Sequence, residues 1–160
     1  MDWITENVAL GDMYDAGHLD PRHMDLPGGV NAVLNMAVEL PPDPGVIAAH
    51  KIMYLFLPVD DGHALPRDIM MKAFVFLARC EMEHKRVLVH CVMGKSRSAS
   101  MVAMYLALRD NISFKDALQI VRSKRPLVDP APALARSVDA FVQTYGQKRK
   151  DERLLRPQPR

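Results

Sequence analysis

Four short apolar runs punctuate the first ninety residues: VAL at 8–10, NAVLNMA at 31–37, KIMYLFLPV at 51–59 and RVLVH at 86–90. Each is brief and bounded by Gly, Pro, Asp or Asn, the pattern of buried strands. Between the last two, PRDIMMKAFVFLARCEME (66–83) sets Ile69, Ala73, Phe74, Leu77 and Cys80 at the spacing of one apolar helix face, with Pro66 in the first turn. Beyond residue 97 the pattern is helical throughout. SASMVAMYLALRD (98–110) is apolar nearly all round, as a helix is at the centre of a domain. Ser113, with Asp116 three residues on, predicts a capped start for FKDALQIVRSK, which Pro126 ends. PALARSVDAFVQTY (132–145) predicts a last amphipathic helix closing at Gly146.

Strands that alternate with helices and then give way to a helical run predict an α/β fold, a mostly parallel central sheet flanked by helices. With 160 residues, 49% of them apolar, one domain over residues 1–146 is expected. The formal charge of +2 is unevenly spread. QKRKDERLLRPQPR (147–160) carries six Lys/Arg against two Asp/Glu and reads as a basic, flexible tail. No apolar run reaches the roughly 18 residues of a membrane span, and MDWITENVALGD has no signal-peptide pattern. A cytoplasmic protein is expected. Cys80 and Cys91 stand eleven positions apart, which rules out a disulfide framework and a CxxC zinc site. Cys80 continues the apolar helix face and reads as packing. His18, His23, His50, His63 and His84 show no ligand spacing and read as surface or satisfied residues, and the eleven methionines as core.

The chemistry concentrates in VHCVMGKSRS (89–98), which invites two readings. Gly94-Lys95-Ser96 ends like a nucleotide-binding phosphate loop, but that motif needs a glycine at position 89, where Val89 belongs to a strand. The other reading is a strand that stops at His90, a short loop with one glycine at Gly94, and a long buried helix from about Arg97. Such a strand-loop-helix points backbone N–H groups and a helix N-terminus into one small cup that suits a single phosphate. The same field favours the thiolate of a cysteine at the base of the cup, where Cys91 stands. Arg97, at the helix start, can fork two N–H bonds onto phosphate oxygens. Lys95 is equally well read as solvated or as drawing in anionic substrates.

His90-Cys91-x5-Arg97-Ser98 resembles the signature of the cysteine-dependent protein phosphatases. The longer RVLVHCVMGKSRSASMVAMYLALRDNISFKDALQIVRSKRP (86–126) is similar to the dual-specificity branch, and ITENVALGDMYDA and LPVDDG extend the resemblance upstream. It implies a phosphatase-type phosphate loop between a strand and a buried helix. It also implies hydrolysis of phosphotyrosine, phosphoserine and phosphothreonine in proteins through a phosphocysteine intermediate. Cys91 would be the nucleophile. Arg97 and the N–H groups of Val92, Met93, Gly94, Lys95, Ser96 and Arg97 would hold the phosphate, Ser98 would bond to the sulfur, and His90 would support the loop. Family acids follow an apolar-Pro-apolar-x-Asp phrase, which favours Asp61 over its neighbour Asp60 as the general acid. The resemblance calls for no metal or cofactor and for a phosphorylated protein or peptide as partner, not nucleic acid; a monomer is expected. A lipid or nucleotide phosphatase, a phosphate-binding module without catalysis and a sulfur-transfer enzyme are the competing classes. One departure stands out. RPLVDPAPAL places Ala131 where the family has an Asn that buttresses the phosphate loop, so support for the loop must come from elsewhere or be weaker.

Overall fold

The computed structural model describes residues 1–17 and 27–154. Its five strands are β1 (Asp2–Trp3), β2 (Val8–Gly11), β3 (Ala32–Ala37), β4 (Met53–Val59) and β5 (Val87–His90). Six helices surround them: α1 (Met13–Ala16), α2 (Pro44–His50), α3 (Arg67–Met82), α4 (Arg97–Asp110), α5 (Phe114–Lys124) and α6 (Pro132–Leu154). The strands form one sheet in the order β1-β2-β5-β3-β4, in which only β1 runs antiparallel. The expected α/β fold with a mostly parallel sheet is therefore the one observed.

Side chains alternate across this sheet, and the alternation decides what each residue of β5 can do. Val87 and Val89 join Val8, Leu10, Ala32, Leu34 and the helices in the main core. Leu88 points the other way, into a small second cluster with Ala9, Val30 and Val33, against which Trp3 and Tyr54 pack. By the same period of two, His90 falls on the side of Leu88 and Cys91 on the side of the main core. β5 is central, with β2 and β3 in parallel register on its two sides. Its C-terminal end is where an open α/β sheet places ligands.

α4 is the axis of the main core. It packs on β2, β3 and β5 and on α3, α5 and α6, and every residue from Arg97 to Leu108 is buried. This accounts for a sequence that is apolar nearly all round from Ala99 to Leu108. The cap at Ser113 forms as expected: its Oγ accepts from the Asp116 N–H at 3.0 Å and donates to Asp116 Oδ2 at 2.7 Å.

Some expectations need correction. The fully buried residues of α3 are Met70, Ala73, Phe74, Leu77 and Cys80; Ile69 packs against the core but is only partly buried, and Met70 joins the face beside it. Cys80 is fully buried, and burial pushes its thiol up to about 11, consistent with a packing role. α6 does not close at Gly146 but continues to Leu154, so residues 147–154 of the basic segment are helical; residues 155–160 lie outside the described ones. A glycine inside a helix costs only about 1 kcal/mol, and tertiary contacts offset it here. Arg149 donates to the Leu108 carbonyl at 3.0 Å and lies over the Phe74 ring at 5.2 Å. β1, α1 and α2 leave no pattern in the sequence: β1 has two residues, and helices of four and seven residues make too few turns to display a 3.6-residue period. His18 and His23 lie outside the described residues.

Candidate active site

The loop after β5 turns back on itself at Gly94, whose φ is +63°. A Cβ there would lie 2.3 Å from the Gly11 carbonyl oxygen, so both the backbone angle and the packing against β2 require glycine. The loop's outward groups are held from four directions. The Val92 carbonyl accepts from the Met13 N–H at 2.9 Å, and the Lys95 carbonyl from the Asp129 N–H at 2.9 Å. Arg125, buried behind the loop, donates to the Gly94 carbonyl at 2.9 Å and the Met93 carbonyl at 3.3 Å. Ser96 Oγ accepts from the Ala131 N–H at 3.0 Å. Among the described residues, none of these partners takes an N–H of residues 92–96; the carbonyls are satisfied and the N–H groups are left to the cup.

Cys91 lies at the base, 2% exposed, with Ser98 Oγ 3.1 Å from its Sγ. Arg97 is 3% exposed and anchored through one end of its fork. Nη1 donates to Glu39 Oε2 at 2.8 Å and to the Val59 carbonyl at 3.0 Å. Its Nε has no hydrogen-bond partner and stands 3.8 Å from Asp61 Oδ1. Burial works against the guanidinium charge, but the bond to Glu39 and the nearby Cys91, Glu39 and Asp61 raise its pKa further. In return, the Arg97 hydrogen bond holds the Glu39 carboxyl below its ordinary value.

Cys91, Arg97, Asp61, Glu39, Lys95 and Ala131 all line one cleft of about 500 Å³. Val92, Met93 and Ser96 line it as well, so the structure brings most of the sequence-predicted residues together, Asp61 included, while Gly94 makes the turn that packs on Gly11. Asp60 is exposed and does not line the cleft. Ser98 reaches the site through the sulfur. His90, by contrast, is on the far side of β5. It is 1% exposed, its Nδ1 lies 3.3 Å from the Cys91 carbonyl oxygen, and burial lowers its pKa. It braces the peptide of Cys91 from behind. Among the described residues no group of three or more His, Cys, Asp or Glu is placed to hold a metal ion.

Sequence reasoning missed Glu39 and Arg125. Glu39 follows β3, 58 residues before the arginine it holds, and no local pattern links them. Arg125 left a weak trace. It stands beside the helix-ending Pro126, yet its Nη1 reaches Asp2 at 2.6 Å and its Nη2 lies 3.6 Å from Asp12, contacts with the opposite end of the chain.

A cysteine and a buried arginine face each other across a loop whose amides are uncommitted, and an acid stands at the rim. The family model for the dual specificity phosphatase catalytic domain matches residues 22–144, more than half of the chain and all of this loop. The chain belongs to the dual specificity phosphatase family. Its members include human dual specificity protein phosphatase 15, which is 27% identical over 146 residues, 91% of this chain and 48% of that protein. Protein-tyrosine-phosphatase IBR5 of Arabidopsis thaliana is 39% identical over 115 residues, 72% of this chain and 41% of that protein. The chain thus spans less than half the length of either relative. The crystal structure of PTPMT1 superposes with a TM-score of 0.82 at 24% identity, covering 94% of this chain and 98% of that one. At that identity the likeness concerns the fold alone.

Proposed function

We propose that this chain hydrolyses phosphate monoesters of proteins, phosphotyrosine with phosphoserine and phosphothreonine also accepted, through a phosphocysteine intermediate. The observation that carries the reading is the unpartnered Nε of the buried Arg97 in the same cleft as Cys91 Sγ, beside amides that nothing else among the described residues engages. A phosphate dianion offers the acceptors those donors lack.

In the first step the Cys91 thiolate attacks phosphorus in line, the bond to the leaving oxygen breaks, and Asp61 delivers a proton to that oxygen. Arg97 and the N–H groups of residues 92–97 hold the three remaining oxygens as charge redistributes over them. In the second step water attacks the phosphocysteine, Asp61 takes its proton, and the sulfur leaves as thiolate. Ser98, 3.1 Å away, is placed to donate to that sulfur. Supports for a soluble phosphoprotein substrate are the family membership and the cleft. A cytoplasmic monomer remains part of this proposal, and among the described residues no helix is long and apolar enough to cross a membrane.

Hydrolysis of an aryl phosphate, sensitive to vanadate and insensitive to EDTA, separates this reading from a catalytically silent phosphate binder and from a sulfur-transfer enzyme. Cys91→Ser should lower kcat by roughly three orders of magnitude or more while vanadate or phosphate still binds. Turnover near wild type in that variant refutes the mechanism. The fold is also that of PTPMT1, one of whose structures holds PI(5)P. A kcat/KM panel should therefore include a phosphoinositide and a nucleotide beside the phosphopeptides, and a hundredfold preference for either would overturn the protein-substrate reading.

A further inference from the structure

Beside the catalytic cleft lies a second hollow of about 510 Å³, bounded by Asp12, Met13, Tyr14, Val92, Met93, Lys95, Arg125 and Leu127. The two are continuous, since Val92, Met93 and Lys95 line both. Its rim carries three large apolar side chains that the fold leaves in water: Tyr14 at 75%, Met93 at 62% and Leu127 at 51% exposure. They come from three separate elements: α1, the phosphate loop and the turn after α5. Scattered exposed apolar residues need no explanation, but three converging on the mouth of a site mark a contact surface.

The electrostatics of the hollow narrow the occupant. Arg125 could attract a second phosphate, but its charge is met by Asp2 at 2.6 Å and Asp12 at 3.6 Å, and its Nε is spent on the Gly94 carbonyl. Asp2 and Asp12 together offset Arg125 and the neighbouring Lys95, which also lines the catalytic cleft, so the hollow has no excess of positive charge to hold a second dianion. The neighbouring cleft sets Glu39, Asp61 and Asp129 against Lys95 and Arg97, so the hollow and the cleft present no cluster of uncompensated basic side chains of the kind that docks on an anionic bilayer.

Resting on the phosphatase reading above, we propose that this hollow is a substrate subsite that receives an uncharged apolar side chain, aromatic or aliphatic, flanking the phosphorylated residue. It makes the enzyme select singly phosphorylated segments with an apolar neighbour over doubly phosphorylated or acidic ones. Tyr14 and Leu127 determine that preference, and neither touches the phosphate.

The test compares phosphotyrosine peptides that carry Leu, Phe, Asp or phosphothreonine at positions one and two residues to either side, each read as a ratio to an aryl phosphate hydrolysed by the same protein. Affinities of the Cys91→Ser protein for the same peptides are measured in parallel, so the subsite is decided even if turnover is not seen. The expected result is a preference of roughly tenfold or more for Leu or Phe over Asp or phosphothreonine at one position. That preference should collapse in Leu127→Asp and in Tyr14→Asp, and survive in Leu127→Met. Both positions are exposed, so folding is not at stake. Equal ratios across the panel, or a preference for the second phosphate, would overturn the subsite while leaving the phosphatase reading intact. A phosphoinositide in neutral vesicles turned over better than every peptide, with that activity lost in Leu127→Asp, would show a membrane contact instead. Failure to hydrolyse even the aryl phosphate would strike the phosphatase reading alone, with the peptide affinities still deciding the subsite.

Discussion

The backbone N–H of Ala131 donates to Ser96 Oγ at 3.0 Å, tying the segment before α6 to the phosphate loop. Two residues earlier the Asp129 N–H holds the Lys95 carbonyl at 2.9 Å. The side chain at position 131 is thus not what supports the loop; the main chain of 129–131 does so, together with Arg125. Ser96→Ala and Ala131→Pro each remove one end of the bond and should cost about 1 kcal/mol of stability with a several-fold loss of kcat/KM. Ala131→Asn keeps the N–H and should change stability by less than about 0.5 kcal/mol. Urea unfolding and aryl phosphate kinetics on the three variants decide the matter.

Asp61 lines the cleft 3.8 Å from Arg97 Nε, whereas Asp60 does not line it. A poor leaving group needs the proton most. Asp61→Asn should therefore depress phosphotyrosine turnover far more than turnover of an activated aryl phosphate, and Asp60→Asn should change little. Reversed behaviour assigns the acid to Asp60, and indifference of both places it elsewhere on the loop.

Glu39 fixes one end of the Arg97 fork, which leaves Nε toward the substrate. Glu39→Ala should lower kcat/KM by about tenfold, the lower end of the range for a charged hydrogen bond because Glu39 is half exposed. Glu39→Gln retains a hydrogen-bond acceptor and should lose less. Kinetics indistinguishable from wild type in Glu39→Ala would show that the Val59 carbonyl alone is enough to orient the arginine.

His90 adds a pH dependence to stability. Burial lowers its pKa in the folded chain below the ordinary value, so the unfolded chain takes up the proton first. The stability associated with neutral His90 is then fully present above about pH 6.5, the unfolded value, and is lost as pH falls toward the folded one. Unfolding midpoints measured from pH 8 down to 5 should decline through that window, and His90→Gln should flatten the decline. The Glu39 carboxyl, held low by Arg97, loses its contribution only as pH falls below about 4.5; a decline confined to that lower range would exclude His90 as the cause.

Much of this architecture could be read from the order of residues along the chain, because its causes are local. The runs at 31–37, 51–59 and 86–90 became β3, β4 and β5, the apolar stretch from 98 became the buried α4, and Ser113 capped α5, each from periodicity or capping that acts within a few residues. The string from His90 to Ser98 pointed to its family for the same reason: strand, glycine turn and helix start lie within nine positions. Glu39, Arg125 and the amide of Ala131 could not be found that way. Each acts on the phosphate loop from 31 to 58 residues away, across a sheet whose order is not that of the sequence. The extension of α6 through Gly146 has the same origin. A glycine's weak local preference to stop yielded to contacts that Arg149 makes with Leu108 and Phe74, and such contacts exist only once α3, α4 and α6 have packed together.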